Sequence, residues 1–336
     1  MHVDELTTPA LLVERETLRS NLDTMSAALP GARLRPHVKA HKCSELARRQ
    51  RDDGHPGFTC ATVRECEVLA AAGLGGDLLL ANEVLDTARL GALVRDGSRV
   101  TLAVDSRETI AAAVRGGVRE VVIDVAVGLP RCGAPPERAV DLARDAGRAG
   151  LEVRGVMGYE GHLMMVRPEA ERARMVTEAV TPLARVAAEL AREGLVASDL
   201  VTGGGTGTYR ENTAVTEVQA GSYALMDTAY AEQGLPFGQA LSVLGTVTSV
   251  SDAHAVVDAG LKAMSLDHGN PTVPGAQVWF CSDEHTTFAP EARVHVGDRI
   301  RVLPSHVDPT VALHEAMYLV DGDTVLERWP VDMRGW

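Results

Sequence analysis

Arg33-Leu34-Arg35-Pro36-His37-Val38-Lys39-Ala40-His41-Lys42 is the stretch on which the fold turns. Read as a strand, it puts Leu34, Pro36 and Val38 on one face and Arg35, His37 and Lys39 on the other, because side chains alternate along extended backbone. It ends on lysine and histidine. A doubly wound sheet usually carries a glycine-rich turn after its first strand. Here the glycines gather late, at Thr202-Gly203-Gly204-Gly205-Thr206-Gly207-Thr208. That distribution favours a closed barrel over an open sheet.

Outward from this stretch, short apolar runs alternate with alanine-rich helical ones. Strands are expected at 34–39, 57–61, 77–81, 99–104, 120–125, 152–159, 199–202 and 217–224. Helices are expected at 43–53, 63–72, 85–95, 107–115, 136–150 and 168–193, with one at 15–29 before the first strand. Glycine closely follows many of them (Gly54, Gly73, Gly97, Gly116, Gly150, Gly194), as helix ends favour. The expected fold class is α/β: a (β/α)8 TIM-type barrel over 14–236. From 237 to 336 the texture changes to short β-like runs separated by turns such as Asp267-His268-Gly269-Asn270-Pro271. This predicts a smaller all-β domain, joined by a strand from residues 1–13.

The chain has 336 residues, 45% hydrophobic and 24% charged, which suits a folded globular protein. A net charge of -13 argues against nucleic acid and against an anionic membrane surface as partners. No apolar run reaches the roughly 18 residues of a membrane span. The start shows no secretory pattern. Five scattered cysteines, an odd number, suggest reduced thiols and a cytoplasmic setting.

Chemistry concentrates at five places. Lysine occurs only at 39, 42 and 262, against thirty arginines. A lysine desolvated among cations loses pKa and becomes a nucleophilic amine; a solvated edge strand is the plainer alternative for Lys39. The glycine run at 203–205, followed by Thr206, either makes a tight turn or lets backbone N–H groups approach an anion. Gln219-Ala220-Gly221-Ser222-Tyr223 offers a second small-residue turn, and barrels bind phosphate after their last two strands. Arg131, in the loop after the fifth strand, is an anion partner or an ordinary loop arginine. Gly158-Tyr159-Glu160-Gly161-His162 supplies acid–base candidates. In Pro304-Ser305-His306-Val307-Asp308-Pro309-Thr310, an extended backbone would put His306 and Asp308 on one face, able to share a cation. Without a thiolate such a pair suits Mn2+ or Mg2+, with zinc also open; a surface loop is the alternative, and His285, His295 or His314 could replace His306.

An amine at the first strand, an anion cradle at the last two and an arginine between them describe a pyridoxal phosphate site. With His37-Val38-Lys39, Arg131-Cys132-Gly133, Tyr159, Gly203-Gly204-Gly205-Thr206, Gly221-Ser222-Tyr223 and His306-Val307-Asp308, the chain resembles the fold type III (alanine-racemase-type) enzymes. More narrowly, it resembles their D-threonine aldolase and D-serine dehydratase group. The resemblance implies a Schiff base at Lys39 and cofactor contacts from His37, Arg131 and Tyr159. It implies phosphate contacts from Gly204, Gly205, Thr206, Gly221, Ser222 and Tyr223, a divalent metal on His306 and Asp308, and His162 as proton acceptor. It further implies a homodimer acting on a small D-β-hydroxy amino acid. Aspartate rather than cysteine at 308 points to the aldolases, which release glycine and an aldehyde. The alternatives are a dehydratase, a racemase with Tyr318 as its second base, and a non-catalytic cofactor-binding protein.

Overall fold

The computed structural model describes all 336 residues. In chain order its elements are β1 (Ala10–Glu14), α1 (Arg15–Ala28), α2 (Ser44–Asp52), β2 (Phe58–Cys60), α3 (Val63–Ala71), β3 (Leu78–Leu80), α4 (Ala88–Arg95), β4 (Val100–Val104), α5 (Arg107–Gly116), β5 (Glu120–Asp124), α6 (Pro136–Arg148), β6 (Glu152–Gly158), α7 (Glu169–Arg192), β7 (Leu200–Gly203) and β8 (Glu217–Val218). There follow α8 (Thr228–Ala231), β9 (Leu241–Val250), β10 (Ala255–Val257), β11 (Ala276–Cys281), β12 (Thr286–Pro290), β13 (Arg299–Val302), α9 (Val307–Ala312), β14 (Ala316–Asp321) and β15 (Thr324–Pro330). Two compact units result.

One unit holds Ser26–Lys39, Ala47–Gly221 and Trp336. Its sheet is parallel, in the order β2-β3-β4-β5-β6-β7-β8. The strands read as apolar runs because both faces are covered; every residue of β4 is buried. The eighth place in the ring belongs to residues 34–37. Leu34 bridges Val218 and His37 bridges Thr59. Arg35 N donates to Val218 O (2.9 Å), His37 N to Ala220 O (3.0 Å) and Thr59 N to Pro36 O (3.0 Å), which closes the barrel. The strand expected at 34–39 is corrected here: no ladder forms. Pro36 has no N–H to donate, and the chain bends into a 3-10 turn at Val38–Ala40. Lys39 therefore stands on that turn, just past the strand. The strand expected at 217–224 also shrinks to β8, and Ser222–Ala224 forms a 3-10 turn.

The barrel interior is layered along the strands. Nearest their N-terminal ends lies a polar layer. Arg35 Nε donates to Glu217 (2.6 Å) and its Nη2 to Asp77 (2.8 Å). Arg154 Nη1 donates to Asp77 (2.7 Å) and Thr101 (2.8 Å). The cost of burying Arg35 is thus met by counter-charges. Next comes an apolar layer of Leu79, Ala103, Val122, Met157 and Leu200. Lys39 and Tyr159 lie beyond it, past the C-terminal ends of the strands that carry them.

The second unit holds Met1–Met25, Ala40–Leu46 and Ser222–Gly335. Its sheet runs β11-β12-β10-β9-β1-β14-β15, with β13 also paired to β9. The N-terminal strand β1 joins it, parallel to β14 and antiparallel to β9. β12 was not expected from the sequence. This unit resumes at Ser222 and takes in Met1–Met25 and Ala40–Leu46 besides. Specific bonds account for this. Asn21 Nδ2 donates to Ala224 O (3.0 Å) and Gly238 O (2.8 Å), while Ser44 donates through N (3.0 Å) and Oγ (2.6 Å) to Asp332. No helix is long and apolar enough to cross a membrane. All five cysteines are free.

Candidate active site

In the barrel unit, the ring of Tyr159 is the meeting point. Lys39 Nζ lies 6.0 Å from its centroid and Arg131 Cζ 5.5 Å. Tyr159 follows directly on β6, and Arg131 belongs to the loop after β5. Glycine makes the ring's position possible: a Cβ on Gly161 would stand 2.4 Å from Tyr159 Cε1, and one on Gly205 3.6 Å from Cε2. The structure thus brings Lys39, Arg131, Tyr159 and the glycine turn after β7 together. His37 contributes backbone closure of the ring and offers Nδ1 to Lys39 N at a long 3.5 Å. His162 is exposed on the 3-10 turn Gly161–Leu163, and its ring lies against Gly128.

The glycine turn is held from beneath by a residue the sequence did not single out for that role. Glu160 is fully buried, and its Oε1 accepts from Thr208 Oγ1 (2.7 Å) and Asn212 Nδ2 (3.0 Å). Gly204 has φ +74°, a left-handed backbone that glycine adopts freely. Because β7 and β8 pair in parallel, with Thr202 opposite Glu217 and Gly203 opposite Val218, the turns after them leave from neighbouring strand ends. Gln219 N donates to Gly203 O (2.9 Å) and its Nε2 to Thr202 Oγ1 (2.9 Å), which pins the second turn through Gly221.

Behind Arg131, burial and the neighbouring Glu83 carboxylate hold the Asp124 carboxyl well above the usual range, so it stays protonated at neutral pH. Burial, again with Glu83 adjacent, pushes the Cys132 thiol up to about 11. Cys132 is therefore a thiol at neutral pH and no rival nucleophile to Lys39.

In the second unit, residues 304–310 are not extended. His306 caps α9 with extended backbone (φ −146°, ψ 119°), and the helix starts at Val307, whose N–H donates to Asp227 Oδ2 (2.9 Å). Asp308 lies in the first helical turn, where its Oδ1 accepts from Ser222 Oγ (3.2 Å). Tyr223 is buried beside it in sequence and packs its ring 5.8 Å from that of Phe237. The shared strand face expected for His306 and Asp308 is thus replaced by a cap and a helix turn. His306 instead meets two residues of the turn before β11. Its Nδ1 bonds Asp267 Oδ2 (2.7 Å), and its ring stacks on that of His268 at 4.0 Å and 6°. Ligand atoms of Asp267, His268 and His306 all lie within 4.8 Å of one another. Desolvation alone would raise the Asp267 carboxyl, but bonds from Ser265 and His306 and the adjacent imidazoles hold it below its usual range. The other histidines weighed as substitutes are engaged elsewhere: His314 Nε2 bonds Ala263 O (2.7 Å), and His295 lies 3.7 Å from Asp298. His285 lies outside the cluster. The sequence shows Asp267 and His268 as turn residues; a carboxylate and an imidazole directly before a glycine were the available signal.

A family model described as "Alanine racemase, N-terminal domain" matches residues 13–229, and one described as "Putative serine dehydratase domain" matches 240–320. The chain belongs to the fold type III pyridoxal phosphate enzymes of the D-threonine aldolase and D-serine dehydratase family. It is 35% identical to the D-threonine aldolase of Arthrobacter sp, over 98% of this chain and 93% of that one. It is 34% identical to the 3-hydroxy-D-aspartate aldolase of Paracoccus denitrificans (strain Pd 1222), over 100% and 94%. With the D-threo-3-hydroxyaspartate dehydratase of Delftia sp. (strain HT23) it shares 30%, over 98% of both. Among solved structures, the D-threonine aldolase from Filomicrobium marinum matches with a TM-score of 0.92 at 35% identity, covering 99% of this chain and 96% of that one.

The barrel residues fit the family's cofactor. An amine and a guanidinium converge on one aromatic ring, and the adjacent glycine turn has no room for side chains: a Cβ on Gly203 would lie 2.1 Å from Gly158 O and one on Gly207 2.3 Å from Met164 O. Side-chain-free backbone close to two cations is the chemistry that a phosphate and a phenolic oxygen require. The second unit offers imidazole and carboxylate donors without sulfur, which fits a divalent ion held by nitrogen and oxygen.

Proposed function

We propose that this chain is a pyridoxal phosphate- and divalent-metal-dependent aldolase. It cleaves the Cα–Cβ bond of a D-β-hydroxy amino acid, of the D-threonine, D-phenylserine or D-3-hydroxyaspartate type, to glycine and an aldehyde. The observation that carries this reading is the convergence of Lys39 and Arg131 on Tyr159, in a chain whose relatives along its whole length include two named aldolases. Lys39 would hold the cofactor, with contacts from Arg131, Tyr159 and His37, and Gly204, Gly205, Thr206, Gly221, Ser222 and Tyr223 would hold its phosphate. When bound, pyridoxal phosphate supplies an electron sink for the pair released at Cα. His162, an accessible imidazole, or a water on the metal would accept the proton of the β-hydroxyl. His306 and Asp308 would hold a divalent ion, Mn2+ or Mg2+ favoured and Zn2+ also open, which would supply Lewis acidity for loss of that proton. The exposed Trp279 and Phe280 on edge strand β11 support a homodimer as the working unit, and the free cysteines support a cytoplasmic setting.

The test is incubation of the purified, cofactor-loaded protein with D-threonine, D-phenylserine and D-3-hydroxyaspartate, with Mn2+ and with chelator. Equal yields of glycine and aldehyde that vanish in chelator support the reading. Ammonia without glycine would replace it with a dehydratase, and full activity in excess chelator would remove the metal.

A further inference from the structure

We infer that Asp267 is a positioning residue for His306, taking the Nδ1 proton so that Nε2 is the nitrogen offered to the metal, with His268 stacked on the ring as a brace. The inference rests on the metal reading above and concerns what makes His306 a ligand.

A neutral imidazole has one N–H, and the nitrogen that keeps it cannot bind an ion. Something must therefore choose the tautomer. The 2.7 Å bond between Asp267 Oδ2 and His306 Nδ1 makes that choice, since a carboxylate only accepts. A 180° flip of the ring would set Cδ2 against the carboxylate and lose the bond. The parallel His268 ring at 4.0 Å covers one face and resists tilting.

The carboxylate is itself placed by a hydrogen-bonded frame. Ser265 Oγ donates to Asp267 Oδ1. Ser265 N donates to Thr310 Oγ1 (3.0 Å), whose hydroxyl donates to His306 O (2.7 Å). Ser305 Oγ donates to Gly269 O (2.8 Å). The turn at 265–269 is thus tied to 305–310 on both sides of the Asp267–His306 bond. Thr310 and Ser305 are buried, so these ties are shielded from water. The ligand geometry is set before any ion arrives, which lowers the ordering cost of binding it.

The experiment is a Mn2+ titration of the cofactor-loaded protein, read by the paramagnetic resonance of free Mn2+, with cofactor absorbance and thermal melting as controls. Asp267→Ala is expected to weaken Mn2+ binding roughly 10–100-fold with both controls unchanged. Asp267→Asn is expected to restore binding to within several-fold of the parent, because the amide oxygen accepts the same proton. An Asn variant as weak as the Ala variant would make Asp267 a direct ligand and overturn the inference. So would an Ala variant that binds as the parent does. If the parent binds no Mn2+, or His306→Ala binds it equally well, the metal reading falls and takes this inference with it, an outcome distinct from failure at Asp267 alone.

Discussion

Under the proposed reading, Lys39 has no substitute among the three lysines of this chain. Lys262 lies at the surface, where its ammonium meets Glu284 (2.7 Å) and Asp283 (3.5 Å). Lys42 sits in the second unit, on a residue with φ 47°. Replacing Lys39 by alanine should abolish both the visible absorbance of the bound cofactor and all turnover. A spectrum of the reconstituted variant decides this, and a persisting absorbance band would move the attachment elsewhere. Gly203 makes a different demand. A methyl there would stand 2.1 Å from the Gly158 carbonyl oxygen on the neighbouring strand, which has no rotamer to escape into. Gly203→Ala should cost about 1–3 kcal/mol as overpacking, seen as a lowered denaturation midpoint. Lys39 could be singled out in the sequence because lysine is so scarce, and Arg131 and Tyr159 because they follow expected strands. The partners of His306 could not: Asp267 is 39 positions away, and bonds through Ser265, Ser305 and Thr310 help fix the two segments together.

Strands β4 and β5 were readable because a parallel strand buried on both faces reads as a nearly continuous apolar run. Residues 34–37 misled for an equally physical reason. Their alternation is that of a strand, but Pro36 cannot donate and the chain turns at Val38. The same segment delivers Arg35 to the polar layer, where it shares Asp77 with Arg154. Burial would raise the Asp77 carboxyl, yet the two guanidiniums hold it down to about 2. That lies below the roughly 3.9 of an unfolded aspartate, so the native state favours the ionised form. The resulting stability is fully present above about pH 4–5 and is lost as pH falls toward 2. Asp77→Ala leaves two arginines buried without their shared partner. It should cost on the order of 3–5 kcal/mol at neutral pH and flatten this part of the acid limb, both measurable by denaturant titration across pH. An unchanged acid limb would show that other carboxylates govern it.

At the scale of the molecule, the sequence foretold a barrel and a β domain, while the sharing of the N-terminal residues between the two compact units rests on long-range bonds. The N-terminal strand, the helix after it and residues 40–46 group with the second unit through Asn21 and Ser44, whose bonding partners lie beyond residue 220. Such long-range bonds leave no local pattern to read. The ring of strands has its own long-range closure. Neighbours from β3 to β7 are joined by ladders of three to five residue pairs, whereas residues 34–37 meet each flanking strand at a single bridge. Lys39 lies two positions past that join. Under the proposed reading, one end of the coenzyme is tethered there by a covalent bond and the other rests on the turns that follow β7 and β8. Stripping the coenzyme should therefore speed amide hydrogen exchange at Arg35, His37 and Thr59 more than in β4 to β6, as mass spectrometry can record; uniform acceleration would mean the ring shuts unaided. The vitamin would then serve as a buckle for the hoop that carries it, and B6 starvation would leave slack protein as well as idle enzyme.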